Sequence, residues 1–340
     1  MPETGAASPA MSGNALATAA LRRSLLNSLR ELALIPVIVV VFIYGAVFAP
    51  GFLTVDNLTN VAQYAAPLGM VVVAEALTLL IGKMDISLQA IYGLAPLVGG
   101  WLIVPVINQG LGSNLPPVVG ILVCLVIGLV VGAINGVLVI KWGFNAFIFT
   151  LAMNILLHGI QTGLTNGKTV YHMPDQFLYL GGGTLLGLPV AIWVTSFTFL
   201  LVGIFLRYHR VGRAIFAIGG NLEAARAAGI KVDSIRIGVF VAAGLLAAVA
   251  GLMTAGQTVS ITTDQGQGYI FDVFAAAVIG GISLDGGRGR MLGALTGVVL
   301  LKLFVNVLIL MQVPSFWTDA VDGAIILIAL GIARVIGTRR

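Results

Sequence analysis

Asn221-Leu222-Glu223-Ala224-Ala225-Arg226-Ala227-Ala228-Gly229 is a short polar interruption between two long apolar stretches. It reads as a helix of about two turns with both ends specified. Asn221 is placed to accept from a first-turn N–H, Glu223 suits the positive N-terminal end, and Gly229 suits a left-handed stop. The alanines leave a smooth, small face. So short a helix has no core of its own, which predicts a piece that docks into something else at the cytoplasmic face of a membrane protein.

Composition fixes the surroundings. Hydrophobic residues make up 59% of the 340-residue chain and charged residues only 9%, against roughly 25% charged in a soluble domain. A soluble core cannot hide that much apolar surface. The expected fold is an all-α, polytopic membrane bundle, because apolar runs of about 20 residues cross a hydrocarbon layer of roughly 30 Å. Ten spans are predicted, at 32–49, 62–82, 88–107, 117–140, 145–164, 186–206, 237–256, 269–286, 291–311 and 317–335. The membrane bundle thus occupies 32–336, with an Ala/Ser/Gly-rich disordered N-terminus at 1–31, the docking segment at 217–231 and a short tail at 337–340.

Charge sets the orientation, since Lys and Arg collect in cytoplasmic loops. With the N-terminus inside, the inner segments hold Arg22, Arg23, Arg30, Lys83, Lys141, Arg207, Arg210, Arg213, Arg226, Lys231, Arg236, Arg288, Arg290, Arg334, Arg339 and Arg340. Of the 18 basic residues, only Lys168 falls outside and Lys302 within a span. Both termini are therefore expected in the cytoplasm. The net charge of +5 belongs to this inner belt and gives no reason to expect nucleic-acid binding. Arg22-Arg23 before an apolar run has the look of a twin-arginine leader, but Arg30, Glu31 and Pro50 argue against cleavage.

No catalytic or metal-binding constellation is present. The chain has no H-E-x-x-H, C-x-x-C or G-x-S-x-G, and its single cysteine, Cys124, sits in the fourth span. Gly167-Lys168-Thr169 imitates the end of a phosphate loop, but Thr162 stands where the first glycine is required. The chain is thus read as a non-enzyme that binds no cofactor. Gly128, Gly132 and Gly136, and Gly293 with Gly297, form G-x-x-x-G ridges that allow helices to approach closely.

Three motifs in order carry a family resemblance. Glu223-Ala224-Ala225-x-x-x-Gly229, after Ala217-Ile218-Gly219-Gly220-Asn221, resembles the coupling segment of bacterial ABC importer permeases, in the form closest to the ribose/galactose/xylose type. Ile81-Gly82-Lys83-Met84-Asp85-Ile86-Ser87-Leu88 is similar to that group's G-G-I-D-L-S element. Val278 to Gly289, with Gly280, Gly281, Ser283, Gly286 and Gly287, is similar to its second glycine-rich element. Lys83 stands where a second glycine is usual, Gln89 stands near another, and the Ile-x-Leu-Pro ending of the broader importer motif is missing after Gly229. The resemblance implies a permease subunit of a bacterial inner membrane that pairs with a second copy or a paralogue. It implies docking to cytoplasmic ATPase subunits, which bind ATP and Mg, and receipt of solute from an extracytoplasmic binding protein.

The solute path has its own signal. Thr150, Asn154, His158, Gln161 and Thr165 recur at helical spacing and form one stripe. Neutral hydrogen-bonding groups suit an uncharged polyhydroxylated solute, or else serve as interhelical ties. Glu75 and Lys302, at compatible depths, are a candidate pair; the more conservative reading has Asp85 satisfy Lys83 locally. The outer loops, with Tyr171, His172, Asp175, Asp264, Asp272, Trp317 and Asp319, offer contacts for a binding protein. An ion-coupled secondary transporter using Glu75, Lys302 and His158 is the alternative, but it leaves the 221–229 helix without a role.

Overall fold

The computed structural model describes residues 34–314, Asn114 aside, and isolated positions up to Leu327. The N-terminal segment, the tail and most of the tenth expected span lie outside the described residues. Twelve α-helices are described in full. They are α1 (Leu34–Phe48), α2 (Val55–Leu80), α3 (Leu88–Ile103), α4 (Pro117–Ile140), α5 (Ala146–Thr165), α6 (Asp175–Gly182), α7 (Val190–Tyr208), α8 (Arg210–Gly220), α9 (Leu222–Ala227), α10 (Val232–Thr258), α11 (Tyr269–Ile279) and α12 (Met291–Leu310). Of these, α2, α4, α5, α7, α10 and α12 are long and apolar enough to cross a membrane, while α1, α3 and α11 are shorter apolar helices. The chain is a multi-pass helical membrane protein.

Local sequence explains where the helices begin. Thr54 caps α2, its Oγ1 accepting from Asn57 N at 3.3 Å, and Asn145 caps α5, its Oδ1 accepting from Ile148 N at 3.2 Å. Pro117 opens α4, where a missing N–H costs nothing.

The centre of the bundle is α2, buried without interruption from Ala66 to Leu80. A helix apolar and buried all round belongs inside a larger core. It packs against α10, α7 and α12. Reciprocal amide bonds between Asn57 and Asn306, at 3.1 and 2.9 Å, tie α2 to α12. The glycine ridges are filled as expected. A Cβ on Gly128 would lie 2.5 Å from Gly244 O on α10, and one on Gly280 would run into the backbone of Gly293 on α12. Cys124 points into the same α4–α10 seam, with its thiol 3.6 Å from Ala248 O.

Two antiparallel pairs of two-residue strands supplement the helices. β1 (Val170–Tyr171) pairs with β4 (Ser260–Ile261), joining the chain after α5 to the chain after α10, and β2 (Thr184–Leu185) pairs with β3 (Leu188–Pro189) ahead of α7.

Several expected boundaries move. The second helix starts at Val55, where Thr54 caps it, and the seventh expected span at Val232, where Asp233 gives it a polar first turn. The eighth expected span is the largest departure: α11 has only 11 residues, about 16 Å of helix, roughly half a hydrocarbon layer. Gly280, Gly281, Gly286 and Gly287 follow it, and three of the four have positive φ, so the chain there is a glycine-built loop.

Candidate functional site

The docking segment has the local geometry its residues require. Asn221 Oδ1 accepts from Ala224 N at 2.9 Å, and Gly229 takes φ +76°. Ile230 N then reaches back to Ala225 O at 3.2 Å, closing α9. Ala225 is the one α9 side chain that is buried; Glu223, Ala224, Ala227 and Ala228 present an exposed small-residue face. Arg226 on α9 meets Asp233 in the first turn of α10 at 3.2 Å, with both side chains more than half exposed.

Ahead of α9 lies α8, a helix outside the ten expected spans. His209 Nδ1 caps it by accepting from Val211 N at 3.2 Å, and Gly212, Ile215 and Ile218 form its buried face. The spacing of those three residues, with Arg210 and Arg213 opposite, was the available signal.

The glycines that end α8 bring the three sequence motifs together. Gly287 N donates to Leu80 O, at the end of α2, at 2.9 Å. A Cβ on Gly286 would lie 2.9 Å from Gly82 Cα and 3.1 Å from Gly219 O, and a Cβ on Gly287 would lie 2.5 Å from Gly220 N. A Cβ on Gly219 would strike Leu80 O. The bases of α2 and α8 and the 280–290 loop therefore touch main chain to main chain. Gly82, Gly286 and Gly287 belong to this junction. Gly280 instead faces α12, while Gly281, at φ +81°, has open space beside it, and Ser283 N closes its loop on Arg288 O at 2.9 Å.

Asp85 and Ser87 form a separate buried network. Asp85 Oδ1 accepts from Ser87 N at 3.0 Å and Ser87 Oγ at 2.6 Å, and Asn135 Nδ2 on α4 donates to Ser87 Oγ at 2.7 Å. Ile86 N donates to Thr150 Oγ1 at 3.1 Å, which anchors this segment to α5. Asp85 makes no ion pair with Lys83, since its oxygens are committed to Ser87 and Asn135.

The expected Glu75–Lys302 pair does not form. Lys302 Nζ lies 3.8 Å from Asp272 Oδ2, both side chains largely buried, and Glu75 Oε1 accepts from Asp85 N at 3.3 Å. Depth alone did not decide the pairing. On α2, Glu75 faces the 81–87 turn, whereas Lys302 on α12 faces α11. Asp272 had been placed in an outer loop, but the short α11 carries it into the bundle.

The α5 stripe divides in two. Thr150, Gln161 and Thr165 are buried, with Thr150 and Thr165 bonded back to Ala146 O and Gln161 O. Asn154 and His158 are half-buried and line a cavity of about 250 Å³ together with Gln161, Gln89, Gln265 and Gln267. Gln161 Nε2 reaches Thr262 O and Gln265 O at 3.3 and 3.4 Å, and Gln267 Nε2 lies 2.6 Å from His158 Nε2. Gln89 Oε1 accepts from Ile270 N at 3.2 Å, capping α11. Gln265 and Gln267 escaped the sequence reading, although Thr262-Thr263-Asp264-Gln265-Gly266-Gln267-Gly268 is a conspicuously polar run beside a short apolar segment. Glu75 and Lys302 do not line this cavity.

A multi-pass bundle with a capped aqueous-edge helix and an uncharged polar cleft between helices is a transport subunit. Residues 57–330 match the family described as the permease component of branched-chain amino acid transport systems, and the chain belongs to that family. It is 34% identical over 306 residues to the ribose import permease protein RbsC of Escherichia coli K12, covering 89% of this chain and 92% of that one. It is 32% identical over 316 residues to the L-arabinose ABC transporter permease protein AraH of Azospirillum brasilense, covering 93% and 91%. To the autoinducer 2 import system permease protein LsrC of E. coli K12/DH10B it is 32% identical over 301 residues, covering 88% and 86%. No solved structure matches.

Proposed function

We propose that this chain is the membrane-spanning subunit of an ATP-driven importer of a sugar or sugar-like solute. It sits in a bacterial inner membrane with about ten spans and both termini cytoplasmic. The α9 helix, through Asn221, Glu223, Ala224, Ala225 and Gly229, docks to an ATPase subunit that carries ATP and Mg; this chain holds no cofactor itself. A second permease copy or paralogue and an extracytoplasmic binding protein complete the assembly.

One observation carries the reading. The main chain of α8, continuous with α9, lies directly against the ends of α2 and the 280–290 loop, with no side chain between them. A push on α9 therefore reaches the central helix through backbone, which side-chain rotation cannot absorb. The relatives, named as permease proteins for ribose import, L-arabinose ABC transport and autoinducer 2 import, support a sugar-like cargo. A secondary transporter would want mobile ionisable groups, and here Lys302 is held by Asp272 while Glu75 is held by the 81–87 turn.

Co-expression with the candidate ATPase subunit tests this. Expected are a stable complex and ATP hydrolysis that becomes uncoupled from uptake in Glu223→Arg and Gly229→Leu, with both variants still inserted in the membrane. Full uptake by both variants would sink the assignment.

A further inference from the structure

The segment 262–268 is irregular backbone packed against α3, α5 and α10, with Thr263 buried, Gln265 and Gly266 half-buried and Thr262, Asp264, Gln267 and Gly268 exposed. Gln265 Nε2 donates to Gly251 O at 3.3 Å and to Tyr92 O at 3.2 Å. Gly251 lies seven residues, or about 10 Å of helix, before the end of α10 at Thr258. The segment therefore folds back along α10 before α11 begins, and the Gln265 side chain reaches about two turns down that helix. Close contact holds it there: a Cβ on Gly266 would strike Gln89 O, and one on Gly93 would strike Gln265 O and lie 2.6 Å from Gln161 Oε1. Non-helical backbone within a membrane bundle survives only where protein covers it or where it borders a water-filled cavity. The cleft against α5 is that cavity.

Its lining has bonding capacity to spare. Gln161 is fully buried and its Oε1 has no partner. Gln89 spends its carbonyl on Ile270 N and keeps its amide protons, and the Asn154 side chain makes no hydrogen bond with the described residues. No ionisable acid, lysine or arginine lines the cavity, so a charged solute would enter without a counter-charge, at heavy cost. A hydroxyl both donates and accepts, which matches a mixed set of amide N–H and C=O groups. About 250 Å³ holds roughly eight waters and falls below the roughly 300–1,000 Å³ that drug-sized ligands fill. One small molecule fits.

We propose that the cleft between α5 and the 262–268 segment is a solute site for one uncharged polyhydroxylated molecule. Asn154, Gln161 and Gln89 hold it, and the His158–Gln267 hydrogen bond bridges it from α5 to the segment. This rests on the transport reading above and adds to it the contact residues and the exclusion of charged cargo.

The test is labelling of Asn154→Cys, in a Cys124→Ala background, within the assembled transporter in proteoliposomes. The probes are D-ribose and ribitol against D-ribose 5-phosphate. Expected is reaction with a charged, water-soluble methanethiosulfonate reagent, slowed several-fold by either neutral probe at millimolar concentration and unaffected by the phosphate ester. Reaction with an apolar maleimide alone would overturn the site as a lipid-facing or dry surface. Labelling that neither neutral probe slows, or that the phosphate ester slows equally, would overturn it as a solute site.

A second arm is Gln161→Met, which keeps the volume and removes the amide. Uptake is expected to fall about tenfold, the worth of one buried hydrogen bond, while the complex and its ATP hydrolysis persist; unchanged uptake would count against the proposal. The two readings fail separately. Intact uptake in Glu223→Arg refutes the coupling role even if Asn154→Cys is protected, and unprotected Asn154→Cys refutes the cleft even if coupling holds.

Discussion

Where Gly219, Gly286 and Gly287 meet the main chain of Gly82 and Leu80, backbone touches backbone and a methyl on any of the three has no room; Gly82 is fixed instead by its φ of +69°. Where Asn154, Gln161 and Gln89 meet, side-chain amides face a cavity with hydrogen-bonding groups left over. The first junction is stiff and saturated; the second is open and unsaturated. A structure that must pass on a displacement needs the former, since close-packed interiors transmit strain. One that must take up and release a passenger needs the latter, because a site that satisfies itself has nothing to offer a ligand. Both lie in one bundle, joined by the 81–88 turn: Gly82 is in the glycine junction, Ile86 is tied to Thr150 on α5, and Gln89 borders the cleft.

The sharpest way to break this contrast is to put bulk into the stiff junction. Gly219→Val places its side chain into the Leu80 carbonyl, and the loss should exceed the roughly 1–3 kcal/mol of ordinary overpacking. Expected is a large fall in the unfolding temperature of the detergent-solubilised chain together with abolished uptake; a normal melting curve would show that the junction yields. In the cleft, Gln161→Met also frees Thr262 O and Gln265 O. It should lower the melting temperature modestly, by about 1–3 kcal/mol of stability and far less than Gly219→Val, while cutting transport about tenfold. The ratio of the two losses separates rigidity from reception.

A smaller effect tests the corrected ion pair. In a double-mutant cycle, Lys302→Met and Asp272→Asn should show a coupling of about 1 kcal/mol, in line with polar pairs inside membrane bundles. Lys302→Met and Glu75→Gln should simply add. Additivity in the first pair would remove the Lys302–Asp272 contact from the account. The smallest expected change is at the aqueous edge. Arg226→Ala breaks an exposed pair with Asp233, worth about 0–1 kcal/mol and screened by salt, so stability should barely move. A drop in coupled hydrolysis with unchanged stability would then mark Arg226 as part of the docking face rather than of the fold.

Much of this was legible along the chain because it is decided locally. Asn221 and Gly229 announce the ends of α9 through capping and left-handed geometry, which depend on a few neighbouring residues. The six long spans are visible because apolar length is itself the signal. The α5 stripe was found by period, but its division into buried ties and cavity-facing groups was not, since that depends on the 262–268 segment, distant in sequence. The Glu75–Lys302 expectation failed for a related reason. Depth follows from counting residues, but the rotational facing of two helices does not, and Lys302 turns to Asp272 on α11. The shortness of α11 was hidden because Val278-Ile279-Gly280-Gly281-Ile282 continues an apolar run after the helix has ended.

The backbone contact at Gly219 and Gly286 also has an evolutionary consequence. A joint made of main chain leaves selection one acceptable residue type, while amides around a cleft can be exchanged singly for other polar side chains at the cost of a hydrogen bond or two. Lineages that changed their cargo would therefore have drifted at Asn154, Gln161 and Gln89 and stood still at Gly82, Gly219, Gly286 and Gly287. Such a scaffold acquires new passengers by point substitution, with its means of being driven left intact.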